Sequence, residues 1–140
     1  MFEHRREIII EWGDCDPAGI VFFPRYFAIF DSSTWALFTA ALGMKKAALL
    51  AHYRTVGCPM VAVRARFLIP CTFGDEVVVE SQLAELRRSS FDVQHRLIKA
   101  GALAVECLET RVWSAADPDQ PGRIKSQPIP PKVRARLGDS

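Results

Sequence analysis

The sequence has 140 residues, of which 49% are hydrophobic and 24% are charged, and its net charge is +2 at pH 7. This length suits one domain with a hydrophobic core, and the composition is that of a globular chain rather than a disordered one. The small net charge does not by itself imply nucleic-acid binding, and any basic function would have to come from local clusters of basic residues. No apolar run approaches the roughly 18 residues of a membrane-spanning helix, so we expect neither nucleic acid nor a membrane as a partner.

Four cysteines stand far apart along the chain: Cys15, Cys58, Cys71 and Cys107. None of them forms the C-x-x-C pair that holds zinc in many small domains, so we predict no metal site. The first residues do not read as a secretion signal, because the chain runs directly into a short strand-like stretch. We therefore expect a cytoplasmic protein with reduced thiols.

The first part of the chain predicts one strand followed by two helices. Residues 6–12 contain three consecutive isoleucines and are typical of a strand. A long helix is predicted over Pro24–Leu42, because proline is tolerated at the first helical position and Gly43 supplies a stop. Its apolar residues fall on more than one side, which indicates a helix surrounded by other structure. A shorter helix is expected over residues 45–53.

The remainder predicts strands, over residues 60–70, 76–86, 91–99 and 102–114. The connections are short, so neighbouring strands should pair antiparallel as a four-stranded meander. On the first of these strands, apolar residues alternate from Val61 to Ile69 and predict one apolar face. The early helix is the only element long enough to cover the sheet, which gives an α+β fold. We expect a single domain over residues 1–140, ending in a polar tail from about residue 117 with a short helix from Pro131.

An acidic turn separates the first strand from the long helix, in the segment Gly13-Asp14-Cys15-Asp16-Pro17-Ala18-Gly19-Ile20-Val21. Carboxylates at the start of a helix meet its unpaired N–H groups and the positive end of its dipole. A fixed carboxylate beside free amide donors can act on a carbonyl while the donors bind the oxyanion, so the segment is a candidate hydrolytic site. The alternative is a purely structural turn in which Asp16 caps the helix.

Two other kinds of site share this spacing of acids. A calcium-binding loop needs an acid at its fifth position and a glutamate at its twelfth, where this chain has Ala18 and Arg25, so calcium is excluded. Phosphatases of the haloacid dehalogenase type need a doubly wound parallel sheet. The chain has one alternation of strand and helix and then only strands, which disfavours that fold.

The segment Glu11-Trp12-Gly13-Asp14-Cys15-Asp16-Pro17-Ala18-Gly19-Ile20-Val21, in its setting of strand, long helix and further strands, resembles the signature of the hotdog-fold acyl-CoA thioesterases. The chain is most similar to the 4-hydroxybenzoyl-CoA thioesterase family. Residues 57–59 and 86–91 also lie in the family's order. The resemblance implies a hotdog fold, in which an antiparallel sheet wraps around a long central helix. It implies hydrolysis of an aryl-CoA, such as 4-hydroxybenzoyl-CoA, or of a short-chain acyl-CoA.

The same resemblance assigns the chemistry to single residues. Asp16 is implied as the catalytic carboxylate, either as nucleophile or as general base for water. The backbone N–H of Phe23, at the helix N-terminus, is implied to polarise the thioester carbonyl. Asp14 and Gly19 are expected to shape the turn rather than to react. The family needs no metal and no cofactor, since coenzyme A is part of the substrate.

Substrate-binding residues are carried over in the same way. Arg87 and Arg88 are implied to hold the coenzyme A phosphates, because the arginine fork binds two oxygens at once. Ser89 departs from the third basic residue of the hydroxybenzoyl members. Asp31 lies where those members carry an acid facing the substrate ring. Related short-chain enzymes also carry an acid there, so Asp31 does not decide between an aryl and a short-chain acyl group.

Hotdog subunits pair through their sheets, so the resemblance implies a homodimer, commonly doubled to a tetramer. Asp16 of one chain would then face Cys58, Pro59 and Met60 of another. Cys58 itself is disfavoured as a nucleophile, because no histidine stands in a recognisable relation to it. His95 alternates with apolar neighbours and is interpreted as a core or interface histidine.

Two other functions remain open at this point. One is a non-catalytic hotdog module that binds acyl-thioesters without hydrolysing them. The other is a thioesterase that acts on acyl carrier protein, which would need a broad basic surface.

Overall fold

The long helix lies where the sequence predicts it. In the computed structural model, which describes residues 1–138, helix α1 spans Pro24–Leu42 with Pro24 at its first position. Gly43 ends the helix with φ 71°, a left-handed conformation that glycine adopts without steric cost. A shorter helix, α2, follows over Lys46–Tyr53.

Strands make up most of the remaining structure. They are β1 (Glu3–Ile9), β2 (Met60–Phe67), β3 (Glu76–Leu86), β4 (Ser90–Lys99), β5 (Ala102–Val112), β6 (Ser114–Ala116) and β7 (Ile124–Ser126), and a last helix, α3, covers Pro131–Gly138. The first five strands form one antiparallel sheet in the order β1-β3-β4-β5-β2, while β6 and β7 form a separate hairpin.

The strand order corrects the predicted meander. Only β3, β4 and β5 are joined as successive neighbours, since β1 pairs with β3 and β2 pairs with β5. The connection from β2 to β3 is tied to the acidic turn: the Val21 N–H donates to the Cys71 carbonyl at 2.8 Å, and the Gly74 N–H donates to the Ile10 carbonyl at 2.9 Å. This connection carries the chain across the sheet, which leaves β2 at the far edge.

One face of the sheet packs against α1 to form the core. Side chains buried on the helix include Tyr26, Phe30, Leu37 and Phe38, and the sheet contributes Val79, Leu83, Phe91, Val93 and Leu97. Each large apolar side chain removed from water in this way contributes about 1.5–3 kcal/mol to folding. The predicted α+β architecture is present.

The C-terminal segment is part of this core. The predicted short helix is present as α3, and its Val133 and Leu137 are fully buried. Ile129, just before it, is also buried, and the Phe2 N–H donates to the Leu137 carbonyl at 2.7 Å. The prediction of a polar tail therefore misses the apolar side of this segment, which covers one end of the sheet.

Strand β2 carries apolar side chains that the described chain leaves largely exposed, although Phe67 contacts the rings of Phe23, Tyr26 and Phe27. Val61 is 60% exposed, Val63 is 43% exposed and Phe67 is 48% exposed. Helix α1 packs near β1 and β3, at the opposite edge of the sheet. The predicted apolar face of β2 therefore exists, but this chain alone does not bury it.

The helices can also be compared with the requirements of a membrane span. Among residues 1–138, no single helix is both long enough and apolar enough to cross a bilayer. Within the part of the chain that the structure describes, α1 and α2 taken together reach that length and composition, with a bend of 66° between them.

Candidate active site

The acidic turn folds back on itself as a narrow hairpin. The Asp16 N–H donates to the Ile20 carbonyl at 3.0 Å, and the Phe22 N–H donates to the Asp14 carbonyl at 2.8 Å. Gly19, with φ 84°, makes the bend and donates its N–H to the Asp16 carbonyl at 2.9 Å. Both acids are thereby placed beside the last residues before α1.

Asp14 is buried and fully engaged. Its Oδ2 accepts the Glu11 N–H at 2.9 Å, and its Oδ1 accepts Nε and Nη2 of Arg25 at 3.1 and 3.0 Å. Arg25 lies in the first turn of α1, so this pair fixes the hairpin against the helix. The side chain of Asp14 is committed to holding the turn.

Asp16 is only partly buried and only partly engaged. Its Oδ1 accepts the Ala18 N–H at 2.9 Å, which closes a local turn of the kind that aspartate often makes. No other donor within residues 1–138 reaches its side chain. One carboxylate oxygen is thus fixed while the other keeps its lone pairs.

Phe23 precedes Pro24 and forms the N-cap of α1. Its N–H has no acceptor in the described part of the chain, whereas the N–H groups of Arg25 and Tyr26 bond back to the carbonyls of Phe22 and Phe23. An apolar groove of about 170 Å³ adjoins this end of the helix, lined by Ile20, Val21, Phe23, Tyr26, Phe67, Ile69 and Pro70. The helix N-terminus therefore presents an available amide donor beside apolar surface.

A second cavity, of about 390 Å³, brings together several of the other predicted site residues. It is lined by Asp31, Trp35, Lys46, Leu50, Val56, Gly57, Cys58, Pro59, Arg111 and Ile124. Asp31, Cys58 and Pro59 were predicted to meet the substrate. Met60, which was predicted with them, does not line this cavity, and within residues 1–138 neither does Asp16.

The floor of this cavity is a charged network that the sequence analysis did not identify. Nη2 of Arg111 donates to Oδ1 of Asp31 at 2.7 Å, and Nε donates to Oε1 of Glu109 at 2.9 Å. Glu109 is 1% exposed and also contacts Nε2 of His95 at 3.3 Å. Burial alone would raise the pKa of Glu109, but the hydrogen bonds from His95 and Arg111 outweigh it and hold that pKa below its ordinary value.

Polar residues occupy positions 31–34 in the middle of α1, and the network accounts for Asp31 and Thr34 among them. The hydroxyl of Thr34 donates to Glu109 and lies 3.0 Å from Nε2 of His95, while Nδ1 of His95 lies 2.7 Å from the Ser81 hydroxyl. Thr34 has one hydroxyl hydrogen, so the geometry favours the tautomer with the proton on Nε2. His95 is a fully buried core residue, as interpreted from its apolar neighbours. The neighbouring Ser33 and Ser32 accept from Arg6 of β1 at 3.0 and 2.5 Å.

A signal for this network was present in the sequence. Along β5, the inward positions alternate as Val105, Cys107, Glu109 and Arg111, the alternation continues to Trp113 just after the strand, and all five residues are buried. Two opposite charges at consecutive inward positions of a strand require partners on the packed face. Asp31 and Thr34 on α1 are two of those partners.

Cys58 does not have the properties of a nucleophile. It is buried, and burial raises the pKa of its thiol to about 12, against the opposing effects of Arg111 and Lys46. The reactive form of cysteine is the thiolate, which is scarce at such a pKa. Its position still makes it part of the cavity wall.

The two predicted phosphate-binding arginines lie in different environments. Arg87 is paired with Glu85 at 3.0 Å and with Asp92 at 2.5 Å, and these carboxylates raise the pKa of its guanidinium. Arg88 is exposed, and within residues 1–138 no acid pairs with its side chain. Of the two, Arg88 has the guanidinium that is available to a ligand.

No group of three or more histidine, cysteine or acidic side chains within residues 1–138 is arranged to hold a metal ion. The four cysteines are free thiols. That the protein needs no metal stays a prediction.

Comparison with known proteins identifies the family of this chain. The family model described as the Thioesterase-like superfamily matches residues 10–137. The 4-hydroxybenzoyl-CoA thioesterase of Pseudomonas sp. (strain CBS-3) is 29% identical over 126 residues, which cover 86% of this chain and 87% of the relative. A 1,4-dihydroxy-2-naphthoyl-CoA hydrolase of Synechococcus elongatus is 30% identical over 97 residues, which cover 69% of this chain and 71% of the relative.

The fold is shared over almost the whole chain. An aspartate-to-asparagine variant of 4-hydroxybenzoyl-CoA thioesterase, solved in complex with 4-hydroxybenzoyl-CoA, superposes with a TM-score of 0.88 and 25% identity. The match covers 98% of this chain and 99% of that one. The predicted resemblance to hotdog-fold thioesterases is confirmed, and the chain belongs to the Thioesterase-like superfamily.

Proposed function

We propose that this protein is a thioester hydrolase that cleaves an aryl-CoA, such as 4-hydroxybenzoyl-CoA, or a short-chain acyl-CoA to the free acid and coenzyme A. The observation that carries the proposal is the acidic hairpin, in which one oxygen of the Asp16 carboxylate has no donor, together with the N–H of Phe23 directly after the hairpin, which has no acceptor in the described chain. The matched relatives named above act on aromatic acyl-CoA thioesters, which supports an aryl group as the first choice.

The reaction needs only these groups and water. The Asp16 carboxylate attacks the thioester carbonyl carbon, the C–S bond breaks, and coenzyme A leaves as a thiolate that water protonates. Water then hydrolyses the mixed anhydride and restores the carboxylate. Alternatively, Asp16 takes a proton from a water that attacks the carbonyl directly. In both routes the Phe23 N–H stabilises the oxyanion, and no metal or cofactor takes part. A relative that was complexed with its thioester as an aspartate-to-asparagine variant supports the choice of an aspartate.

The complete site lies between two subunits in this proposal. Asp16 does not line the cavity formed by Asp31, Cys58 and Pro59 of its own chain, so a second copy would bring the two together. Strand β2 lies at the edge of the sheet, and an unpaired edge strand accepts another strand. Its exposed apolar residues offer further surface for that copy. We infer a homodimer, doubled to a tetramer as in the hotdog family, with Met60 at the junction.

The remaining contacts concern the coenzyme A part of the substrate. Arg88, with its available guanidinium, binds a phosphate, and Arg87 orients the connection between β3 and β4 through Glu85 and Asp92.

The cytoplasmic location stays a prediction, in keeping with four free thiols.

The test is steady-state thiol release from acetyl-, butyryl-, benzoyl-, 4-hydroxybenzoyl- and palmitoyl-CoA by the wild type and by Asp16→Asn. We expect the aryl substrates to be turned over, and Asp16→Asn to lower turnover by roughly a thousandfold or more, as the loss of a nucleophile does. Asp119→Asn is the matched control, because Asp119 is an exposed acid in the β6–β7 connection. It should behave as wild type.

Near-normal turnover by Asp16→Asn would contradict the assignment of Asp16 as the catalytic carboxylate. Coenzyme A binding without turnover of any thioester would favour the acyl-thioester-binding module. A strong, salt-sensitive preference for thioesters of acyl carrier protein would identify the third function considered from the sequence.

A further inference from the structure

The turn between β3 and β4, over residues 87–89, has few side-chain groups left for an anion. The guanidinium of Arg87 is already paired with Glu85 and Asp92, and Ser89 carries no charge. Within residues 1–138, Arg88 is therefore the only residue of this turn with an unpaired cation. One guanidinium binds two oxygens of a phosphate at most, so the remaining oxygens need other donors.

All three carbonyl groups of the turn are bound by later parts of the chain. The carbonyl of Arg87 accepts from Nη1 of Arg134, that of Arg88 from the Ile129 N–H at 2.9 Å, and that of Ser89 from the Trp113 N–H at 2.7 Å. The turn therefore leans on the end of β5 and on the segment around α3, which lie 24 or more residues further along the sequence.

The donors in these three bonds are anchored in the core. Trp113 is 2% exposed and Ile129 is 3% exposed. Arg134 follows Val133 on α3, and both Val133 and Leu137 of that helix are fully buried. The carbonyl groups of the turn are thus fixed relative to the hydrophobic core and not only to the neighbouring strands.

Fixing a carbonyl also fixes the N–H group that follows it. A peptide unit is planar and, in the trans form, its C=O and the next residue's N–H point in opposite directions. Residues 1–138 contain no cis peptide bond. The N–H groups of Arg88 and Ser89 therefore point away from Arg134 and Ile129, and neither has an acceptor in the described chain.

This arrangement suits a phosphate. Two successive backbone N–H groups stand beside the unpaired guanidinium of Arg88, at a turn that solvent reaches because Arg88 is exposed and Ser89 is partly exposed. Hydrogen bonds from N–H groups to an anionic oxygen are stronger than those between neutral groups, and successive backbone amides are recurrent anion-binding elements. The backbone thus offers donors that the side chains of Arg87 and Ser89 do not.

We propose that Arg134 is a positioning residue, which together with Ile129 holds the N–H groups of Arg88 and Ser89 outward as donors to a phosphate of coenzyme A. The inference rests on the proposed function and adds to it the backbone donors and the residue of α3 that orients them. Arg134 acts through the Arg87 carbonyl and does not need to touch the ligand.

The first measurement is the Kd of coenzyme A, by titration calorimetry, for the wild type and for Arg134→Gln. Glutamine is two bonds shorter than arginine, so it does not reach the Arg87 carbonyl. We expect the Kd to rise about tenfold, the lower end of what one hydrogen bond to a charged group contributes. The matched control is Arg136→Gln, which removes the same charge from an exposed position of the same helix. Its Kd should rise about twofold or less, since salt screens an exposed charge.

A second measurement separates positioning from a general loss of structure. It compares KM for the CoA thioester that the wild type hydrolyses best with KM for the pantetheine thioester of the same acid, which has no phosphate. Arg134→Gln should raise KM for the CoA thioester in parallel with the Kd, and leave kcat and the KM for the pantetheine thioester unchanged. A merely destabilised protein would lose active molecules, which lowers the rate with both substrates alike.

A backbone variant tests the donors themselves. Replacing Ser89 by its 2-hydroxy acid analogue changes its N–H into an ester oxygen and keeps the side chain. We expect the Kd of coenzyme A to rise about five- to tenfold, as for the loss of one hydrogen bond to an anion. This variant also decides the matter if Arg134→Gln does not fold.

The outcomes separate the inference from the proposed function. Binding of coenzyme A by Arg134→Gln as tight as by Arg136→Gln, or an equal rise in KM for the pantetheine thioester, overturns the positioning role. Wild-type affinity in the Ser89 ester overturns the backbone donors. A wild type that binds coenzyme A but hydrolyses no thioester contradicts the proposed function, while the dissociation constants still decide the positioning role. A wild type that does not bind coenzyme A overturns both.

Discussion

The N-terminus and the middle of helix α1 differ in how their polar groups are bonded. At its N-terminus, α1 leaves one oxygen of Asp16 and the N–H of Phe23 without partners in the described chain. In its middle, from Asp31 to Thr34, every polar side chain is bonded to another element. The first region can react because its groups are incompletely satisfied, and the second can hold positions because each of its side chains is bonded to another element.

Water exposure is the physical reason for the difference. An unpaired polar group is tolerable where solvent or substrate can reach it, as in the acidic hairpin, and is costly in the core. Asp14 and Asp16 show both conditions within one turn, since Asp14 is buried with both oxygens engaged and Asp16 is partly exposed with one engaged. Variants in the two regions should therefore fail in different ways.

The largest effect on stability is expected in the middle of the helix. Glu109→Gln removes the buried partner of Arg111 and should lower the free energy of unfolding by about 3–5 kcal/mol, measured by urea denaturation. The matched control is Glu106→Gln on the same strand, where the acid pairs with Arg66 at the surface at 2.9 Å. A surface pair contributes about 0–1 kcal/mol, so equal losses in the two variants would contradict the comparison.

The N-terminus should show the reverse, a loss of turnover without a loss of stability. Replacing Phe23 by its 2-hydroxy acid analogue changes the amide N–H into an ester oxygen and keeps the side chain. We expect kcat to fall by about 10²–10³, as for the loss of one oxyanion donor, while the unfolding midpoint stays close to wild type.

The same backbone replacement at Phe22 sharpens this test. The Phe22 N–H is bonded to the Asp14 carbonyl at 2.8 Å, so its removal should destabilise the hairpin by about 0.5–1.5 kcal/mol. If the Phe23 ester retained full turnover, or were the less stable of the two, the assignment of Phe23 as oxyanion donor would fail.

The smallest effect extends the comparison to the two arginines after β3. Arg88→Gln should raise KM for the acyl-CoA about five- to tenfold at low salt, with little change in kcat, and the difference should shrink as salt screens the phosphates. Arg87→Gln should instead lower stability slightly, because Arg87 is already paired with Glu85 and Asp92. A larger rise in KM for the Arg87 variant would reverse these roles.

Local features of this fold were readable from the sequence, and long-range ones were not. The bounds of α1 follow from Pro24 and Gly43, whose backbone preferences act within one turn of the helix. The pairing of β2 with β5 depends on contacts between residues far apart in the chain, and no local pattern distinguishes it from a hairpin with β3.

The same division applies to the candidate site. The acidic hairpin is contiguous in sequence, so Asp14, Asp16 and Phe23 could be singled out together. The Arg111 network draws on α1, β3, β4 and β5, and each member looks like an ordinary surface or core residue when it is considered alone. Its charged residues become informative only when their inward register on β5 is known.

The strand order also determines when the sheet can be completed during synthesis. β2 ends at Phe67, but its partner β5 begins only at Ala102, so the ribosome works for roughly two to seven seconds, at about 5–20 residues per second, before that partner starts to appear. Throughout this interval the nascent chain carries the apolar row of β2 with no strand to pair it. α3, which closes the core around Val133 and Leu137, lies later in the sequence than β5. The sheet therefore cannot be completed until β5 has been made, and that delay is a consequence of where β2 lies in the sheet.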